Sequence, residues 1–146
     1  QYMKLKDKAL AENSEFIPLS IKPEAEISEL EQNEKESFLK DLGINQPALE
    51  KLIRTSYNSL GLGTFFTAGE KEVRSWIIKK GSLAPEAAGV IHTDFQKGFI
   101  RAEVISFEDY IAHEGDQGAK IAGKLRSEGS EYVVNEGDVI LFRFNV

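Results

Sequence analysis

The stretch LGLGT, residues 60–64, separates two parts of the chain that follow different periodicities. Before it, Leu49, Leu52, Ile53, Ser56, Tyr57 and Leu60 recur three and four residues apart, the spacing of one helix face, with Pro47 at its start and Gly61 at its stop. After it, TFFTAG (64–69) and EVRSWIIKK (72–80) alternate in the manner of strands around a tight turn at Ala68-Gly69-Glu70-Lys71. Helical and strand periods place side chains on incompatible faces, so the switch marks a domain boundary, with expected domains at 1–62 and 63–146.

The first part reads as helices with one strand. Leu5, Ala9 and Leu10 give residues 2–12 a modest helical pattern that stops at Asn13-Ser14, and EFIPLSI is expected to form a short strand ended or edged by Pro18. Pro23 opens a helix carrying Ile27 and Leu30. Asn33 with Glu36 is the expected cap of the next, which carries Phe38, Leu39 and Leu42 and closes at Gly43. The apolar stripes of these helices are expected to pack into a core.

The second part reads strand, strand, helix, strand, short helices, strand, strand. Pro85 suits the first turn of a helix in which Ala87, Ala88 and Ile91 face a sheet, and FIRAEVISF is the third strand. Ser106 and Asp109 cap a short helix through Ile111, and a second runs from Asp116 to Leu125, weakened by Gly118 and Gly123. SEYVV and VILFRFN are expected to be strands flanking a sharp turn at NEGD (135–138). Two hairpins with a helix across one mixed sheet is the β-grasp, or ubiquitin-like, pattern, so the expected class is α+β.

Composition removes several kinds of chemistry. The chain has 146 residues and no cysteine, which excludes disulfides, thiolate zinc sites and cysteine nucleophiles. Its net charge of −6 is the wrong sign for a strongly basic nucleic-acid binder, so any RNA contact has to come from a local patch. No apolar run is long enough to span a bilayer, and the opening QYMKLKDKALAENSEF is too charged for a signal peptide, so a cytoplasmic location and no membrane partner are expected. The opening Gln1, set in a helical pattern, suggests a piece of a longer protein.

Motifs for catalysis are missing. The phosphate-binding loop G-x-x-x-x-G-K-[ST] is absent, because Gly61 and Gly63 are followed by Thr64 with no lysine and precede a strand instead of a helix. Dinucleotide, H-E-x-x-H, G-x-S-x-G and EF-hand patterns are absent as well. His92 and His113 are the only histidines; His92 and Asp94, two apart on a helix, would point to different faces, so neither a metal site nor a catalytic residue is expected. In VIHTDFQKG, His92 and Thr93 are expected to end a helix, the histidine near its last carbonyls, with Asp94 organising the exit turn and Gly98 the reversal. Lys79, Lys80, Lys97 and Arg101, joined by Lys120, Lys124 and Arg126, are candidates for a basic surface on an acidic protein.

VIHTDFQKGFIRAEV with the later YVVNEGDVILFRF resembles the TGS module, the β-grasp domain of threonyl-tRNA synthetase, of (p)ppGpp synthetases and of certain GTPases. The longer string LGLGTFFTAGEKEVRSWIIKKGSLAPEAAGVIHTDFQKGFIRAEVISFEDY is similar to the carboxyl-terminal part of the YchF family, the Obg-like ATPases of eukaryotes, and the resemblance covers residues 15–146 to the closing FRFNV. It implies that residues 16–60 are the last strand and closing helices of a P-loop nucleotide-binding domain, a helical remnant ahead of the TGS domain. Ser20, Ile21 and Lys22 would then be the remnant of a nucleotide site, at the loop beside the base. Family members hydrolyse ATP, generally in preference to GTP, and associate with ribosomes. The resemblance therefore implies ATP or GTP with Mg2+ in the full-length protein, no cofactor in this part, and ribosome or ribosomal RNA as partner. The phosphate-binding loop, the switch regions, the magnesium ligand and the base-reading motif would precede Gln1, so the chain alone is expected to be inactive. The alternative is a ubiquitin-like protein–protein interaction module without RNA binding.

Overall fold

The computed structural model describes residues 1–146 other than Asn45, Glu70 and Val146, with the side chains of Gln32 and Glu36 also left aside. Glu70 in the expected hairpin turn and the Glu36 side chain in the expected cap thus lie outside the described residues. The chain divides into two units, Gln1–Leu60 and Gly61–Val146.

The first unit holds α1 (Tyr2–Ala11), α2 (Ile21–Glu29), α3 (Gln32–Asp41) and α4 (Ala48–Ser59). The Ala48 N–H donates to Glu24 Oε1 at 2.8 Å, which ties the start of α4 to α2. Pro23 sits at the third position of α2, where its missing N–H would have had no helical partner. At α3 the expected cap is displaced: Glu31 precedes the helix and its N–H donates to Glu34 Oε2 at 3.3 Å, while Asn33 lies inside the first turn.

Two other expectations for this unit fail. The segment EFIPLSI forms no strand, because a strand satisfies its backbone only against a neighbour and the described residues of the unit contain none. The stripe of α4 is not a core either: Leu49, Leu52, Ile53 and Leu60 are exposed, and among the described residues of the unit Ile27 is the buried apolar one. Periodicity makes a helix amphipathic whether or not its own chain supplies a layer to cover it.

The second unit holds β1 (Leu62–Ala68), β2 (Val73–Lys79), α5 (Ala84–Ile91), α6 (Thr93–Lys97), β3 (Phe99–Ile105), α7 (Phe107–Ala112), α8 (Asp116–Ile121), β4 (Arg126–Glu128) and β5 (Val139–Phe144). They build a five-stranded sheet of order β2-β1-β5-β3-β4. β1 and β2 form the expected hairpin, β5 runs parallel to β1, and β3 runs antiparallel to both β5 and β4. This is the β-grasp. Phe65, Ile78, Ala102, Val104, Ile140 and Phe142 line the face that packs on α5, whose buried Ala84, Ala87 and Ala88 allow close approach. Phe65 and Phe142 meet edge to face at 5.8 Å between centroids.

The second expected hairpin is absent. SEYVV is not a strand; β4 is Arg126–Glu128, and Val133 forms a lone bridge with Leu83. The backbone of this segment pairs with the start of α5 instead: Ala84 donates to the Tyr132 carbonyl at 2.8 Å and Val134 donates to the Ser82 carbonyl at 3.0 Å. Side chains then hold the loop. The Tyr132 hydroxyl donates to Asp138 Oδ2 at 2.7 Å and accepts from Arg126 and Asn135, both at 3.0 Å, and the Asn135 N–H donates to the same carboxylate at 2.9 Å. Asp138 is only 3% exposed, so these donors are what make its burial tolerable. α8 also stops short of Leu125, and Gly123 turns the chain with a φ of +70°.

Phe65→Ala is expected to lower the unfolding free energy of the second unit by about 3–5 kcal/mol, the usual cost of emptying a buried ring site. Tyr132→Phe, which removes a donor from buried Asp138, is expected to cost about 1–2 kcal/mol. Urea denaturation followed by tryptophan fluorescence reads both.

Candidate functional site

Strand alternation gives the sheet a second face, turned away from α5. Ala102, Val104, Ile140 and Phe142 enter the core, so Arg101, Glu103 and Ile105 of β3 and Val139, Leu141 and Arg143 of β5 share the opposite side. α7 covers part of it, with Phe107 against Phe66 at 5.9 Å. The register sets Arg101 directly across from Arg143, a repulsive arrangement by itself. Glu103 resolves it by accepting from Arg101 at 3.1 Å and from Arg143 at 2.9 Å. The Arg143 hydrogen bond is the main reason the Glu103 carboxyl titrates below its ordinary range; burial opposes it and Arg101 assists. Glu103 in turn raises Arg143. Asp116 also acts electrostatically on Arg143, so the two guanidiniums face two carboxylates while keeping N–H donors that Glu103 does not use.

Beside this cluster lies a cleft of about 490 Å3, lined among others by Ile105, Tyr110, Glu114, Asp116 and Leu141. Its rim is the turn between α7 and α8, where Glu114 and Gly115 take φ of +57° and +108°. The lining carboxylates make the cleft acidic, which suits cationic groups better than phosphates.

The basic residues singled out in the sequence do not assemble into one patch. Arg101 is in the cluster, Lys97 lies on α6 just before β3, and Lys120 is exposed on α8. Lys124 is bound to Asp109 at 3.2 Å; that carboxyl is held low first by the Ser106 hydroxyl, the capping partner foreseen in the sequence, and then by Lys124. Arg126 faces the α5 side, where it meets Glu128 at 3.1 Å, the Tyr132 hydroxyl at 3.0 Å and Asp138 at 3.7 Å. Lys79 ends β2 and Lys80 follows it, separated from β3 by β1 and β5, roughly 14 Å across the sheet. Arg143 and Glu103 were missed. Alternation in VILFRF sets Arg143 on the side of Val139 and Leu141, but its position opposite Arg101 follows from strand pairing alone.

His92 meets expectation in part. It stands between α5 and α6 and serves both: as the expected end of α5 its N–H donates to the Ala88 carbonyl at 3.2 Å, and its Nδ1 caps α6 by accepting the Asp94 N–H at 3.2 Å. Its ring also lies 3.5 Å from Asp94 Oδ2, because the pair spans a cap and not a continuous helix. His113 ends α7 and its carbonyl lies against Gly118, where a Cβ would come within 1.8 Å. In the first unit, Ser20 caps α2 while Ile21 and Lys22 form its exposed first turn. Ser20 borders a shallow cavity of about 310 Å3 with Glu24, Gln46 and Lys51. That cavity has no glycine-rich loop and carries an acid, so a triphosphate with Mg2+ does not fit it.

The class this architecture defines is an α+β protein with a ubiquitin-like β-grasp. A family model, YchF-GTPase_C, described as a protein of unknown function (DUF933), matches residues 62–145, and the chain belongs to the YchF family. It is 57% identical over 143 residues to the "Ribosome-binding ATPase YchF" of Bacillus subtilis, covering 98% of this chain and 39% of that protein. To "Obg-like ATPase 1" of Pongo abelii it is 46% identical over 129 residues, covering 88% and 32%. The solved structure of the Schizosaccharomyces pombe YchF GTPase superposes with a TM-score of 0.80 at 37% identity, covering 98% of this chain and 38% of that one. The chain thus spans about two fifths of the length of the curated bacterial relative.

Because the folded-state value of Glu103 lies below the ordinary 4.5, its contribution to stability is complete above that pH and is lost as pH falls through the lowered value. Glu103→Gln is expected to flatten the loss of unfolding free energy between pH 5 and pH 3, measured by urea titrations at each pH.

Proposed function

We propose that this chain is the carboxyl-terminal part of a translation-associated, ribosome-binding P-loop ATPase, and that its β-grasp domain is a TGS module that docks on ribosomal RNA. Similarity to a ribosome-binding ATPase over 98% of the chain carries this reading. The Arg101–Arg143 pair supports it, since guanidiniums held in place by Glu103 can take phosphate oxygens without reading base sequence. Lys97 extends this contact, and Lys79, Lys80 and Lys120 act as outlying phosphate contacts. In this reading, residues 1–62 close a nucleotide-binding domain, and Ser20, Ile21 and Lys22 border its base. ATP or GTP with Mg2+ is held by parts of the whole protein outside this chain, which alone does not hydrolyse nucleotide. A partner of this kind places the protein in the cytoplasm.

A second reading, a protein-binding module, is favoured by one observation: the cleft next to the arginines is lined by Glu114 and Asp116, with Leu141 beside them. Salt dependence separates the two, because phosphate contacts release counterions and an apolar interface does not.

Co-sedimentation with purified ribosomes over a salt series tests the proposal. The wild-type chain is expected to pellet at low salt and to release steeply as salt rises, while a Lys97→Glu, Arg101→Glu variant stays in the supernatant. Binding that ignores salt and survives the variant would transfer the assignment to the protein-binding reading.

A further inference from the structure

A histidine Nδ1 carries a lone pair when it accepts a hydrogen bond and a hydrogen when the ring is charged, and Asp94 offers His92 a partner for either state. The Asp94 N–H reaches Nδ1 at 3.2 Å, and Asp94 Oδ2 lies 3.5 Å from the same atom. The two contacts exclude each other. A nitrogen that accepts the N–H bears no proton, so the capping ring is neutral with its hydrogen on Nε2. A protonated Nδ1 sets hydrogen against hydrogen at the amide and turns to the carboxylate instead. The His92 side chain is 59% exposed, so a proton reaches it without unfolding. Among the described residues no other charged side chain pairs with the ring. The last turn of α5, Ala88 to Ile91, has no ionisable side chain, and Glu86 near its start accepts the Leu83 N–H at 2.8 Å. Within α6 the ring meets Phe95 at 6.0 Å between centroids, and Lys97 stands at the opposite end. β5 turns Phe144 toward α6, while Arg143 and Arg101 lie on the other face of the sheet with Glu103.

We propose that His92 is a proton-operated cap for α6: the neutral ring holds the Asp94 N–H and orders the first turn, and the charged ring releases that N–H and pairs with the Asp94 carboxylate. The helix is built to respond. It has five residues, little more than one turn, so a single side-chain cap is a large share of what orders it. Two contacts hold it on the sheet when the cap is lost. Phe95 stacks on Phe144 at 3.8 Å between centroids. Gly98 closes the helix by donating to the Asp94 carbonyl at 2.9 Å and accepts from the Asn145 N–H at 2.8 Å. Release therefore loosens the junction between α5 and α6 without unfolding the unit. α6 also carries Lys97, so the order of this junction sets how firmly that lysine is held. The device is a property of the chain itself and holds whether or not Lys97 contacts a ribosome.

NMR of the chain between about pH 8 and pH 5, the range in which imidazole changes charge, tests the proposal. At the upper end, ring nitrogen shifts are expected to place the His92 proton on Nε2. As the ring titrates, the exchange protection of the Asp94 amide, corrected for the intrinsic effect of pH, is expected to fall by roughly fivefold, the scale of losing an N-cap. Amides of β3 and β5 keep their protection throughout. His92→Asn retains a side-chain acceptor at the cap but does not titrate, so its Asp94 amide is expected to stay protected at both ends of the range. His113→Gln removes the other histidine and is expected to leave the wild-type response intact. A neutral His92 with its proton on Nδ1 overturns the proposal. So does an Asp94 amide equally protected at both pH values in the wild type, or a pH response that His92→Asn leaves unchanged.

Discussion

The insertion of β5 between β1 and β3 governs the second unit. A terminal strand placed there pairs on both margins, so Val139–Phe144 supplies Ile140 and Phe142 to the core and Leu141 and Arg143 to the opposite face in the same stroke. Its entry also accounts for the preceding loop. Asp138 is buried as β5 begins, and the hydroxyl, guanidinium and amide groups gathered around it hold residues 130–138 against α5 instead of in a hairpin. An unpaired carboxylate at that depth would be costly, so the surrounding polar groups behave as a unit.

An acidic chain places its cations next to its anions. Lys124 rests on Asp109, Arg126 on Glu128 and Asp138, and Arg101 and Arg143 share Glu103. The Arg101–Arg143 cluster differs from the others in setting two guanidiniums on the Glu103 carboxylate, with Asp116 acting on Arg143 besides.

Local signals in the chain were reliable where the physics is local. The hairpin of β1 and β2, the Ser106 cap, the helix after Pro85 and the break at LGLGT all depend on contacts a few residues apart, and all are present. Signals that depend on a distant partner failed. EFIPLSI has strand composition but no strand to pair with, SEYVV pairs with a helix start, and the apolar stripe of α4 is exposed. The basic residues were identifiable by type, yet their spacing along the chain carried no information on which carboxylate each would meet.

By itself the amino-acid sequence determined the class of fold, the order of helical and strand periods on either side of LGLGT, and the family to which the chain belongs. These follow from periodicity, capping and residue type, which are properties of neighbours in the chain. Tertiary structure alone decided the strand order, the opposition of Arg101 and Arg143 across Glu103, and the placement of Arg126 beside Tyr132 and Asp138. The reason is geometric: alternation says which side chains share a face, but only the pairing register says which residues stand opposite, and charge and hydrogen bonding act between residues that stand opposite.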